Sequence, residues 1–267
     1  MDKLLLFSDL HLGHPGPPDP GARLRAAFAD AARNHGDAVH AVLMGDLTHH
    51  GAAQEYRQLA EALAGLPLPV TLMLGNHDRR DAFRAAFPEH PATGAGHVQT
   101  AVDIGRWRLL CLDTLDGPPW VAGRDGGRLC PARLGWLERR LAEAPDRPTL
   151  VFAHHPPMAT GLPGMDRIGL AEGAELLALL QRHRQVRHLF CGHQHRRVSG
   201  STGRLGWTVM PSTWKQLCLD IAGAGRNRFS VAAPGRYGVL LAGAEGVALH
   251  LVAPGGGGAG EGAASGA

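Results

Sequence analysis

Apolar residues along the chain gather into short runs that stop abruptly on a polar residue: Lys3 to Phe7, Ala38 to Met44, Val70 to Leu74, Thr149 to Ala153 and His188 to Cys191. Runs of this length, bounded by Gly or Pro, predict buried strands. Helical stretches are predicted at Arg23 to Asn34, Ala52 to Leu63, Ala132 to Ala144 and Glu172 to Arg182. The third carries Leu134, Leu137 and Leu141, and the fourth Leu176, Leu177 and Leu180, stripes that suit packing on a core better than binding a partner. Strand and helix in alternation indicate an α/β fold. The late runs Trp207 to Met210, Tyr237 to Ala242 and Val247 to Val252 lack intervening helices and predict a second, more antiparallel sheet packed on the first. Pro15 to Gly21 is a Pro/Gly loop, and Pro254 to Ala267 is Gly/Ala-rich without period, a predicted disordered tail behind a domain spanning 1–253.

Composition narrows the function. A chain of 267 residues, 44% of them apolar, can bury a sizeable core in one α/β domain. The formal charge is only +3, the sole lysines are Lys3 and Lys215, and the arginines form no run. That argues against a nucleic-acid-binding stripe, while a mildly basic surface favours small anionic substrates. Cys111, Cys130, Cys191 and Cys218 show no Cys-x-x-Cys spacing, and two of them sit in apolar runs, which predicts free thiols and a reducing compartment. The apolar stretch Leu4 to Phe7 is too short for a signal peptide, and no run approaches the roughly 18 residues of a membrane span. A cytoplasmic protein is expected.

The chemistry lies where the strands end. Each strand-length run leads directly into a polar motif: Ser8-Asp9-Leu10-His11, Gly45-Asp46, Gly75-Asn76-His77-Asp78, His154-His155-Pro156 and Gly192-His193-Gln194-His195. Ligand sites of α/β sheets form outside the carboxyl ends of strands, so five strand ends would deliver these groups to one rim. Each motif alone has an ordinary reading as a turn or helix cap; the ordered set does not. Asp9, His11, Asp46, Asn76, His154, His193 and His195 are too many donors for one tetrahedral ion and enough for two that share a carboxylate. Oxygen and imidazole donors suit Fe, Mn, Zn or Mg. Ion pairs of this kind clamp the attacking and leaving oxygens of a displacement at phosphorus. The remaining histidines default to surface or packing roles, although His49 and His50 stand close enough behind Asp46 to line a pocket.

Asp-x-His, Gly-Asp, Gly-Asn-His-Asp, His-x-Pro and Gly-His-x-His in this order resemble the calcineurin-like metallophosphoesterase superfamily. The stretches Asp46-Leu47-Thr48, Leu112-Asp113-Thr114 and Pro211-Ser212-Thr213 are similar to its class III cyclic nucleotide phosphodiesterases. The resemblance implies a four-layer α/β/β/α sandwich of two mixed sheets flanked by helices. It further implies that Asp9, His11, Asp46 and His195 hold one metal ion and Asp46, Asn76, His154 and His193 the other, Fe or Mn foremost. His77 becomes the catalytic residue facing the phosphate, either protonating the leaving oxygen or stabilising the developing charge, with Asn76 and His195 also against substrate, and His155 either behind the ligands or on the substrate side. The implied activity is hydrolysis of 3′,5′-cyclic nucleotides such as cAMP by in-line attack of a metal-bridging hydroxide. Alternatives are a broader phosphodiesterase for 2′,3′-cyclic nucleotides, glycerophosphodiesters or nucleotide-linked lipids, and a non-catalytic scaffold of the same fold. No nucleic-acid polymer is expected as partner; a homodimer would follow relatives, but no apolar stripe marks an interface. Around the site, Pro156 to Asp166 is expected to roof the pocket, and Trp120 either stacks a purine or anchors against Pro118-Pro119.

Overall fold

The computed structural model describes residues 1–121, 123–221 and 227–255. In the first sheet, β1 (Asp2–Phe7), β2 (His40–Met44) and β3 (Val70–Met73) run parallel, as the strand-length runs predict. The second sheet is built on β4 (Thr100–Ile104), β5 (Trp107–Cys111), β6 (Thr149–Ala153), β7 (Val186–Cys191), β8 (Val198–Thr202) and β9 (Leu205–Val209), in the order β4-β5-β6-β7-β9-β8. Its inner four strands, β5, β6, β7 and β9, are mutually parallel, and its two edges are antiparallel hairpin partners. A short hairpin follows, β10 (Gln216–Leu217) with β11 (Phe229–Ser230), and then β12 (Tyr237–Ala242) and β13 (Val247–Val252).

One expectation fails in its detail. The late strands do not make a sheet of their own: β9 adds parallel to β7, whereas β12 crosses back and pairs antiparallel with β1, carrying β13 outside it. The first sheet is thus β13-β12-β1-β2-β3, mixed like the second. The runs Tyr237 to Ala242 and Trp207 to Met210 are equally apolar, so hydrophobicity could not assign them; pairing depends on which sheet offers an open edge.

Strand alternation builds the layers. Leu5, Phe7 and Leu43 turn to one side and pack with Leu24 and Phe28 of α1 (Pro20–Asn34) and Tyr56 and Leu59 of α2 (Ala53–Leu63). Leu4, Leu6, Val42 and Met44 turn to the other and meet Leu109, Leu150, Phe152 and Phe190 of the second sheet. The far face of that sheet, with Leu110, Val151 and Leu189, is covered by Leu137 and Leu141 of α4 (Pro131–Ala142) and Leu176, Leu179 and Leu180 of α6 (Gly173–Arg182). The result is the expected helix, sheet, sheet, helix order. Two small helices, α3 (Arg80–Ala86) and α5 (Pro163–Asp166), complete the elements; α3 was not legible because its seven residues follow directly on the Asn76-His77-Asp78 turn. Pro254 and Gly255 lie in a turn, and the rest of the expected tail falls outside the described residues. Among the described residues no helix is long and apolar enough to cross a membrane.

Candidate metal centre

The carboxyl ends of β1, β2, β3, β6 and β7 meet where the two sheets face one another, and hydrogen bonds stitch them across the gap. Asp9 N donates to Gly45 O at 3.1 Å, Thr213 N to Ser8 O at 2.8 Å, Gly192 N to His154 O at 2.9 Å and His193 N to Asp9 Oδ1 at 2.9 Å. These bonds join all the predicted motifs except the β3 turn, which Asp78 ties in. Its Oδ2 accepts from Leu47 N (3.1 Å) and Gly75 N (2.9 Å), and its Oδ1 accepts from Thr48 N (3.2 Å), Thr48 Oγ1 (2.8 Å) and Tyr56 OH (3.1 Å). Space is as constrained as bonding. A Cβ at Gly75 would fall on Asp46 Oδ1 and His154 Nε2, and one at Gly45 on the His154 ring, so only glycine leaves room for the donors.

All seven predicted donors converge. His11 Nε2 lies 2.9 Å from His195 Nε2, and His195 Nε2 lies 3.5 Å from Asp9 Oδ1. Asn76 Oδ1 lies 3.3 Å from His154 Nε2 and 3.0 Å from His193 Nδ1. Asp46 Oδ2 stands 3.4 Å from His11 Nε2 and 3.4 Å from His154 Nε2, between the two groups. Donors about 2.1 Å from one ion are separated by about 3.0 Å at right angles and about 3.4 Å at tetrahedral angles, so the observed spacings are polyhedron edges. Tautomers agree. His154 Nδ1 donates to Met44 O (2.9 Å) and His195 Nδ1 to Lys215 O (3.0 Å), which turns both Nε2 lone pairs inward in the way outer partners orient metal-bound imidazoles. Bare imidazole lone pairs this close repel unless a proton or a cation lies between them. The donor set fits two cations.

Backbone conformation marks the same residues. Every non-glycine with positive φ among the described residues is one of the seven: Asp9 (55°), His11 (50°), Asp46 (48°), His193 (72°) and His195 (51°). Left-handed backbone at side-chain-bearing residues costs of order 1–3 kcal/mol each and concentrates at functional sites. The His193 and His195 rings therefore do not share a side through strand alternation, as His-x-His on an extended segment would; two tight left-handed turns place them, one toward each donor group.

Charge is balanced tightly without a metal. Burial would raise the Asp46 carboxyl, but the imidazoles of His154 and His77 outweigh it and hold Asp46 well below the usual range. At Asp9 burial wins, and the carboxyl is raised despite His195 and His154. Burial would lower His154, but Asp46 carries it up to about 9; burial and His154 push His193 down to about 3. A proton on His154 thus stands where a cation would neutralise Asp46.

The centre opens into a cavity of about 320 Å³ lined by Asn76, His77 and His195, the three residues expected to meet substrate, with Met165, Ile168 and Phe229 among its apolar walls. The Pro156 to Asp166 segment contributes Met165 to that wall, while Met158 turns away and packs with the helices of the second sheet. His155 sits behind the donors, with Nδ1 2.7 Å from Thr114 Oγ1 and Nε2 donating to Asp125 O at 3.2 Å. The Arg79 guanidinium lies over the Trp120 ring, 4.5 Å from the centroid, beside a second cavity of about 290 Å³ that shares His49, Asn76 and His77 with the first. Sequence reasoning missed Asp78 as the clamp and Trp214 as a cavity wall, and left His49 open. His49 lines both cavities, and burial with its neighbouring imidazoles pushes it down to about 4.

A family model described as calcineurin-like phosphoesterase matches residues 3–197. A probable cyclic nucleotide phosphodiesterase of Rhodopseudomonas palustris is 40% identical over 228 residues, covering 84% of this chain and 82% of that protein. The glycerophosphodiester phosphodiesterase of Enterobacter lignolyticus is 34% identical over 188 residues, covering 69% of this chain and 65% of its own length. Among solved structures, a dimetal phosphatase from Danio rerio superposes with a TM-score of 0.67 over 95% of this chain and 99% of that one; at 14% identity this likeness concerns the fold alone.

Proposed function

This chain belongs to the calcineurin-like phosphoesterase family and is a metallophosphoesterase, and on that premise we propose that it hydrolyses 3′,5′-cyclic nucleotides, cAMP among them, to nucleoside 5′-monophosphates at a dinuclear centre. Asp9, His11, Asp46 and His195 would hold one ion, and Asp46, Asn76, His154 and His193 the other, with iron or manganese the expected metals. The observation that carries this reading is Asp46 Oδ2, equidistant at 3.4 Å from donors of both groups. Two ions held there supply Lewis acidity toward phosphate oxygens and an acidified water.

The chain's own residues account for the rest. His77 Nδ1 donates to His49 O at 2.8 Å, which leaves Nε2 for the departing oxygen. Burial alone would lower the His77 imidazole, yet the Asp46 charge and the His49 carbonyl raise it; as general acid it would give its Nε2 proton to the departing oxygen. Asn76 and His195 orient the phosphate at the cavity floor, and Met165, Ile168 and Phe229 offer apolar surface to a nucleobase. Residues 1–253 act as one catalytic domain in this reading. A second reading, open diesters such as glycerophosphodiesters, is favoured by the second cavity, which shares Asn76 and His77 and has room for a second substituent. A scaffold role runs against the retention of every donor together with His77.

The test is kcat/KM of the Mn²⁺-reconstituted protein on 3′,5′-cAMP beside 2′,3′-cAMP, glycerophosphocholine, bis(p-nitrophenyl) phosphate and p-nitrophenyl phosphate. Preference for 3′,5′-cAMP supports the proposal, preference for glycerophosphocholine replaces it with the second reading, and metal uptake without turnover of any ester overturns both. His77→Ala should keep both metals while turnover falls by about 10²–10⁴.

A further inference from the structure

His49 belongs to none of the donor motifs, yet it reaches two functional imidazoles from opposite ends. Its ring Nδ1 lies 3.2 Å from His11 Nδ1, and its backbone carbonyl accepts from His77 Nδ1 at 2.8 Å. A carbonyl can only accept, so His77 carries its neutral-state proton on Nδ1 and presents Nε2 to the cavity. At the ring contact one nitrogen donates and the other accepts. His11 Nε2 faces His195 and Asp46, and a metal-binding nitrogen must be bare, so His11 has to be the Nδ1–H tautomer and His49 the acceptor.

We propose that His49 is a positioning residue which, through its ring and its carbonyl, fixes the tautomer and orientation of both a metal-binding histidine, His11, and the acid, His77. The inference rests on the ligand reading of His11 given above. The His49 plane is held on three sides: His77 stacks on it at 4.9 Å and 20°, while His14 and His50 meet it edge-on, each with its centroid 4.6 Å away. The same geometry argues against reading His11, His49 and His77 as a third metal site, although their donor atoms lie within 4.8 Å of one another. The lone pairs of stacked imidazoles lie in their ring planes and run side by side, and the inward nitrogen of His11 is already directed to Asp46 and His195. His50 is engaged separately, its Nδ1 2.8 Å from Glu55 Oε1, and so does not compete for His11.

The full chain is loaded with diamagnetic Zn²⁺ for long-range ¹H–¹⁵N correlation of the imidazole nitrogens, and stripped of metal for calorimetry. The loaded parent should show a protonated His11 Nδ1 facing a bare His49 Nδ1. His49→Phe, which keeps a flat ring and the carbonyl but removes the acceptor, should leave the His11 Nδ1–H in fast exchange with solvent. Calorimetric titration with Mn²⁺ should then show affinity for one of two ions weakened about tenfold or more, the usual effect of losing an outer partner, and the other unchanged. His49→Asn restores an acceptor and should recover most of that loss, with kcat following metal affinity and KM little altered. His49 Nδ1 found protonated toward His11 in the Zn²⁺-loaded parent overturns the inference whatever the variants do, as does His49→Asn binding no better than His49→Phe. His11→Ala is the control for the premise: if it still binds both ions at parent affinity, the ligand reading fails; if it loses one while His49→Phe does not, only the role of His49 fails.

Discussion

Asp78 is fully buried, and its protonation reports a contest the structure sets up. Three backbone N–H groups and two hydroxyls favour its carboxylate, while burial and the charge of Asp46 disfavour it; burial is the larger influence, and the carboxyl rises to about 6. The sign follows from proton counting. An unfolded Asp titrates near its ordinary value of 3.8, so between that and about 6 the folded chain holds a proton the unfolded chain lacks, and stability increases as pH falls through this window. From pH 7.5 to 5.0 the contribution is about 1.4 kcal/mol, because at pH 5.0 a group of pKa about 6 is roughly ten-to-one protonated. Asp78→Asn isolates it. With its amide oxygen toward Leu47 N and Gly75 N, the new NH2 faces hydroxyls that can turn to accept, and only Thr48 N is orphaned, at about 1–3 kcal/mol. Relief of the ionisation penalty, about 3 kcal/mol, offsets that at neutral pH. The parent and Asp78→Asn should therefore be of similar stability at pH 7.5 and diverge by about 1.4 kcal/mol in the parent's favour at pH 5.0. Urea unfolding of both metal-free proteins at the two pH values checks this, and Mn²⁺ should shrink the difference by neutralising Asp46. A difference that stays flat, or grows in the variant's favour, would mean that the five donors outweigh burial and the argument is wrong.

Other consequences can be measured alongside. Asp46→Ala should abolish Mn²⁺ uptake at both positions together with turnover; elemental analysis showing one ion still bound at full affinity would contradict the shared-carboxylate reading. Gly75→Ala should leave the far-ultraviolet dichroism intact yet cut metal stoichiometry, since its Cβ needs the volume of Asp46 Oδ1 and His154 Nε2; unchanged metal content would count against that geometry. Leu6→Ala, in the layer between the sheets, should cost about 2–5 kcal/mol in urea unfolding without altering metal content, and a cost under 1 kcal/mol would show that the layer collapses around the gap.

Much of the centre was legible because its donors are residues that end strands. Asp9, Asp46, Asn76, His154 and His193 each follow an apolar run by one to three positions, and parallel strands bring such ends to one rim. What escaped notice acts through contacts with no sequence period. Asp78 clamps Leu47 and Thr48 thirty residues away, and His49 works partly through a carbonyl that any residue would carry. Strands β4 and β5 went unread as a hairpin because Arg106 and Arg108 interrupt the apolar pattern at the two-residue turn and just inside β5. The destination of β12 turned on an open edge of β1, a property of the assembled sheet rather than of Tyr237 to Ala242.

The five left-handed donor residues set folding against chemistry. Glycine occupies that region of backbone freely, so at Asp9, His11, Asp46, His193 or His195 it would relax the turn while deleting a donor. Backbone preference alone therefore favours a rim that is glycine-rich and binds nothing, while the carboxylates of Asp9 and Asp46 resist that change because they accept from His193 N and His77 N. In the proposed dinuclear reading, donors held where backbone preference opposes them would be sustained by what the ions do, and a thermostability screen run without an activity filter would put the left-handed histidines under the least protection.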